Sequence, residues 1–193
     1  MARSRLALLL ALLAAGCGGG GTAQEGPVLG DGDAVLVVAE AVGCEPCGRF
    51  HERTLPGIVR DYVEPGDLEV RAVLLTPPDD AAARLTAAIR AAGLQDRLFD
   101  ALDAAYRTPA PRTPEELLRR VEGLDVQAAL DALGSEEVAA AGREDRRLAE
   151  RIGLEAAPAV QAGRSLDDLA PVLAPNLSPA ELAEALDAVT GRG

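Results

Sequence analysis

Two cysteines three residues apart, Cys44 and Cys47 in the run Gly43-Cys44-Glu45-Pro46-Cys47, carry the most reactive side chains of this 193-residue sequence. Thiols at that spacing can close a small ring and reopen it by thiolate attack, mixed disulfide and resolution. A CxxC pair also serves as a structural disulfide or as half of a zinc site. A bridge closing so short a loop adds little stability, since the gain grows with loop length. Zinc asks for about four ligands, and beyond this pair the chain offers only its single histidine, His51, as a soft or borderline donor.

The elements around the pair decide between these uses. Ala34 to Val42 (AVLVVAEAV) is a short Val-rich run of the kind expected for a strand buried on both faces. Gly43 ends it, Pro46 suits the first turn of a helix, and Phe50, Leu55, Ile58, Val59 and Tyr62 supply an apolar stripe through to Val63. The pair therefore sits where a buried strand passes into a helix. There Cys44 faces unpaired backbone N–H groups and the positive helix end, which favour a thiolate. Cys44 is accordingly expected as the exposed attacking sulfur and Cys47, one turn in, as the resolving one. This location favours redox use, with Cys44 and Cys47 as the catalytic residues.

Pro65-Gly66 marks a turn, and Leu68 to Leu75 reads as a second strand, completing a β-α-β unit with a right-handed crossover. From Thr76 to Gly153 no convincing strand occurs. Leu85 and Ile89 precede Gly93, and Leu94, Leu98, Leu102 and Tyr106 continue the same spacing. Thr113 opens a helix expected to stop at Gly123, and Asp125 to Leu133 and Ser135 to Ile152 each begin with a capping residue. This segment is expected to be an all-helical insertion over 77–153. Ala159 to Ala162 is a short strand candidate, a further strand is expected within Ser165 to Leu173, and Ser178 opens a last helix carrying Leu182, Leu186 and Val189.

The start of the chain has another purpose. Arg3 and Arg5 precede an apolar run, Leu6 to Ala15, too short to span a bilayer as a helix. The run ends in Ala14-Ala15-Gly16-Cys17, which resembles a bacterial lipobox and implies a signal over 1–16 with lipid on Cys17. The other reading is a plain secretory signal with an incidental cysteine. Gly18 to Gly32 holds seven glycines and few bulky apolar groups, so a flexible tether is expected over 17–33, with a reach of roughly 20 Å. An exported chain meets oxidising conditions, which suits a Cys44–Cys47 disulfide.

Composition excludes other classes. All 19 basic residues are Arg against 31 acidic residues, for a net charge of −12, with no basic patch, so nucleic acid and anionic lipid headgroups are disfavoured partners. Aromatic residues are 2% of the chain, which leaves Leu, Val, Ile and Ala to fill the core.

The segment Cys44-Glu45-Pro46-Cys47-Gly48-Arg49-Phe50-His51 after a Val-rich strand, the helical stretch, and then Arg151 to Pro158 before a short strand together resemble the DsbA-like branch of the thioredoxin superfamily. The resemblance implies an α/β thioredoxin fold: a central mixed sheet flanked by helices, formed by 34–76 and 154–193, with the helical insertion between them. It implies a thiol-disulfide oxidoreductase without a cofactor or metal. Its partners would be exported proteins bearing cysteines and a redox partner in the membrane or periplasm, with the chain itself held to a bacterial membrane by lipid only. It puts a cis-proline at Pro158, with the backbone of Ala157 meeting substrate.

Three positions depart from the pattern of that family: Gly43 where an aromatic residue often stands, Ala157 where Thr or Val is common, and Val38 where a buried acid is usual. Glu40, two residues further on the same strand face, either replaces that acid as a proton relay or is a solvated strand-end residue. His51 is open to three readings: a surface or packing residue, an electrostatic influence on the thiols, or a metal ligand. Glu45 and Pro46 replace the Pro-His dipeptide of oxidising members, so a less oxidising couple is expected. Two rival functions remain at this point: a non-catalytic thioredoxin-fold binding lipoprotein, and a soft-metal carrier for copper.

Overall fold

The computed structural model describes residues 27–171 and 178–192. The expected signal over 1–16, the lipidation site Cys17 and the first part of the tether lie outside them. At the centre is a four-stranded sheet in the order β1-β3-β2-β4, built from β1 (Val28–Leu29), β2 (Ala34–Glu40), β3 (Leu68–Leu74) and β4 (Ala159–Gly163). β2 and β3 run parallel, as a crossover connection requires, while β1 and β4 are antiparallel to their neighbours. All seven residues of β2 are buried, which explains its uninterrupted apolar run.

The tether expected over 17–33 gives way to sheet earlier than its composition suggests. Val28 and Leu29 pair with Arg71 and Val70, and a Cβ placed on Gly32 would lie 2.0 Å from the backbone nitrogen of Leu68. Gly32 is therefore a packing residue, required by close backbone approach. Of the strand expected within Ser165 to Leu173, the described residues, 165–171, form no more than a single bridge. Gly163 makes one isolated antiparallel bridge to Leu169, and Ala170 N donates to Ala162 O at 2.9 Å. Asp167 and Asp168 near Ser165 favour the turn that replaces it.

The two sheet faces are covered differently. Leu36, Val38, Leu68 and Val70 pack with Leu55, Ile58 and Tyr62 after the cysteine helix, and with Leu182 and Leu186 of the last helix. On the opposite face Val35, Val37, Ala39 and Val73 pack with Ala149 and Leu154. The first crossover is α1 (Glu45–Arg53), α2 (Leu55–Ile58) and a π-helical turn over Val59–Val63, rather than one helix through Val63. Pro56 explains part of the break: it has no N–H to donate, and α2 restarts with it in the first turn.

The insertion comprises α3 (Asp80–Gly93), α4 (Leu98–Tyr106), α5 (Pro114–Leu118), α6 (Val126–Asp131) and α7 (Glu136–Ile152). Asp79, Thr113, Asp125 and Ser135 each cap a helix through the side chain. α4 starts at Leu98, not Leu94, because the chain turns through Asp96 at a positive φ of 58°. α5 stops at Leu118, short of Gly123. These helices share a core of their own, including Ile89, Leu102, Leu117 and Leu118, which meets the sheet at Ala72 and Leu74. Among the described residues, no helix is long and apolar enough to cross a membrane.

Arg90 anchors the insertion to the sheet. Its guanidinium donates to Asp145 on α7 at 2.8 Å and to the backbone oxygen of Leu74 at 2.8 Å, and both charged side chains are largely buried. Burial pushes the Asp145 carboxyl up against the opposing pull of Arg90. Removing the cation strands that carboxyl, so Arg90→Met is expected to destabilise the fold by about 3 kcal/mol, read as a lower urea midpoint.

Candidate active site

The backbone leaves β2, turns through Gly43 at a φ of 81°, and enters α1 with Cys44 as the N-cap. Glycine meets the steric demand of that turn. Cys44 and Cys47 form a disulfide with their Cα atoms 5.2 Å apart. The Cys44 Sγ accepts a hydrogen bond from the backbone N–H of Cys47 at 3.2 Å. Pro46 occupies the first turn, where its missing N–H leaves no helical bond unmade. Cys44 is partly exposed, whereas Cys47 is 0% exposed. The two sulfurs therefore differ in access, with Cys44 reachable from solvent and Cys47 shielded. Glu45 is 85% exposed and pairs with Arg49 one turn on, so its charge near Cys44 is partly offset.

The Ala157–Pro158 peptide bond is cis. Gly153 ends α7 in a left-handed conformation at a φ of 74°, and β4 begins directly after Pro158. Ala159 pairs with Ala39 near the end of β2 from which Cys44 emerges. The sheet register thus carries the Ala157–Pro158 loop toward the same edge as the cysteine pair.

Glu40 and His51 are brought together, although eleven residues separate them. Glu40, the last residue of β2, is 1% exposed, and His51 is 6% exposed on the same face of α1 as Cys47. The solvated reading of Glu40 and the surface reading of His51 are therefore corrected. Glu40 Oε1 lies 2.9 Å from His51 Nε2, and the Tyr106 hydroxyl donates to Glu40 Oε2 at 2.8 Å. On the other side of the ring, His51 Nδ1 lies 2.8 Å from Asp103 Oδ1. A carboxylate only accepts, so a ring held between two of them is an imidazolium donating from both nitrogens. Neither nitrogen is left to ligate a metal.

Burial alone would lower the His51 pKa, but the hydrogen bonds and charges of Asp103 and Glu40 outweigh it and raise the value from 6.5 to about 9. Burial and the adjacent Glu40 push the Tyr106 hydroxyl up, leaving it a neutral donor. Asp103, with a side chain 49% exposed, opens this cluster to an open cleft of about 1050 Å³ that is also lined by Cys44 and Arg49.

Asp103 and Tyr106 were not singled out for the site from the sequence. Tyr106 continues the Leu98 and Leu102 stripe of α4, and Asp103 lies three residues before it, which puts both on one helix face. An acid beside the hydroxyl-bearing end of an apolar stripe is the available signal. Nothing local linked it to a glutamate more than sixty residues earlier.

Architecture and site together define the class: a thioredoxin fold with an all-helical insertion and a disulfide at the start of its first long helix. Solved structures share this architecture over nearly the whole described chain. BdbD from Bacillus subtilis, in its oxidised form, has a TM-score of 0.70 at 18% identity, covering 87% of this chain and 94% of that one. A thioredoxin-like oxidoreductase from Silicibacter pomeroyi DSS-3 has a TM-score of 0.67 at 21% identity, covering 85% and 91%. DsbA from Chlamydia trachomatis has a TM-score of 0.66 at 16% identity, covering 89% and 95%. No protein-family model matches the chain, and neither does any curated protein sequence.

The raised His51 value has a defined sign for stability. The folded-state value lies above the ordinary 6.5, so the stabilisation is complete below about pH 6.5 and is lost as pH rises through about 9. The stability difference between the protein and His51→Gln should therefore shrink from pH 6.5 to 9.5, measured by urea unfolding at each pH.

Proposed function

We propose that the chain is a thiol-disulfide oxidoreductase acting on cysteines of exported proteins. The observation that carries this reading is the Cys44–Cys47 disulfide at the N-terminus of α1, with one sulfur reachable and the other shielded. In the oxidised protein, an incoming substrate thiolate bonds to Cys44 Sγ while the Cys44–Cys47 bond breaks and its electron pair leaves on Cys47. A second substrate thiolate then attacks the substrate sulfur of the mixed disulfide. Cys44 is released as a thiolate, so the substrate loses two electrons and the pair gains them.

The N–H of Cys47 and the positive end of α1 would hold the Cys44 thiolate. Ala157 and Pro158 supply the substrate-facing backbone in this reading. Export and a lipid anchor on Cys17 follow from the apolar run Leu6 to Ala15 and the small residues before Cys17, and are part of the same proposal. A diacylglyceryl mass on Cys17 of the protein expressed in bacteria checks the anchor.

A soft-metal carrier is disfavoured because both nitrogens of His51 are engaged by carboxylates. A non-catalytic binding protein with the same fold is separated by activity. Reduction of insulin by dithiothreitol should be accelerated by the protein and return to background in Cys44→Ser. An equal rate with that variant would sink the enzyme reading.

Two further outcomes belong to it. Reducing the bridge should lower the thermal midpoint by only a few degrees, because so short a loop is worth at most about 2 kcal/mol. Unfolding on reduction would instead assign the pair a structural role. Glu45→Ala should move the glutathione equilibrium toward a more oxidising couple by no more than about fivefold, since Arg49 already offsets the removed charge.

A further inference from the structure

A thiolate released on Cys47 appears at a site with no solvent exposure, where burial opposes the charge. The positive helix end serves Cys44 first. Arg49 and Arg53 on the same helix are exposed, so the cation on the buried face of α1 is His51, four residues beyond Cys47. Residues at that spacing stand one above the other, about 6 Å apart. The groups that contact His51 are Glu40 from β2 and Asp103 and Tyr106 from α4, while Cys47 is the buried residue one turn before it on its own helix. Glu40 and Asp103 fix the ring from opposite edges, and the Tyr106 ring lies 5.1 Å away, centroid to centroid.

We propose that His51 is a positioning residue for the thiol chemistry: its imidazolium, gripped between Glu40 and Asp103, stabilises the Cys47 thiolate released when the disulfide opens. The inference deepens the oxidoreductase reading and rests on it. No proton moves as the sulfur–sulfur bond breaks; the electron pair that leaves on Cys47 meets a cluster whose cation, His51, shares the buried face of α1 with Cys47, while its two carboxylates come from β2 and α4. Asp103 is essential to the arrangement. Without a second carboxylate the ring would face Glu40 alone, and burial would have less opposing it. The half-exposed Asp103 also makes the insertion a participant in the redox couple, although α4 contributes no sulfur.

Linkage supplies a test independent of turnover. If the imidazolium favours the thiolate, the thiolate must favour the imidazolium, so His51 holds its proton more tightly in the reduced protein once Cys47 is ionised. The chain has a single histidine, so its imidazole nitrogens give one resolvable set of NMR signals. Titrating them in the oxidised and reduced proteins should show a midpoint about one pH unit higher in the reduced protein, where Cys47 ionises alongside the imidazolium, a tenfold change in proton affinity. Asp103→Asn should lower both midpoints. His51→Gln should shift the equilibrium with glutathione about tenfold toward the disulfide.

Identical titrations of the wild-type protein in its two redox forms would overturn the proposal without any variant having to fold. So would a glutathione equilibrium unchanged within twofold in His51→Gln. A redox-dependent titration in a protein that does not reduce insulin would retain the coupling and overturn the oxidoreductase reading. Turnover with identical titrations would do the reverse.

Discussion

A carboxylate buried at the end of the central strand is the constraint on which this structure turns. Glu40 ends β2 between α1 and α4, at 1% exposure, and each of its oxygens must find a donor. An unmet buried carboxylate would cost several kcal/mol. His51 from α1 and Tyr106 from α4 provide the donors, so a single side chain draws three elements together. Gly48 adds to the fit: a Cβ there would already touch the Tyr106 side chain at 3.5 Å, and a bulkier residue would push α4 away. The geometry of the first helix, and hence of the two cysteines at its start, follows from this need.

Where local rules sufficed, the sequence was readable. The Val-rich run became β2, the capping residues Thr113, Asp125, Ser135 and Ser178 each begin a helix, and Pro158 lies after a cis bond and before a strand. Failures came where distant backbone decides. Gly30 and Gly32 look like linker until Leu68 is placed against them, and Val28 and Leu29 become a strand only because β3 offers an open edge. The opposite holds after Gly163, where the described part of the expected strand, 165–171, wins only one bridge, at Leu169.

The site divides in the same way. Cys44 and Cys47 declare themselves by spacing and by their place at a strand-to-helix junction. Glu40 and His51 were visible as residues of interest, but their exposure was not, because one glutamate ending a strand reads as solvated unless its partners are known. Those partners come from α4, within the insertion, whose sequence shows only a helical stripe. A single chain without an alignment offers no signal joining Asp103 to His51 across 52 residues.

The two sulfurs therefore stand in different electrostatic surroundings. Cys44 has a backbone N–H and a helix end, with the Glu45 charge beside it drawn off toward Arg49. Cys47 is sealed from water, one helical turn before an imidazolium held by two carboxylates. Water screens the first environment and hardly reaches the second, so charge near Cys47 acts at greater strength than equal charge near Cys44. It follows that the residues between the cysteines, exposed as they are, exert less control over the couple than the buried cluster behind them. Under the proposed oxidoreductase reading, Glu45 and Pro46, where the resembled family's oxidising members carry Pro-His, would weigh less on the couple than Glu40, His51 and Asp103.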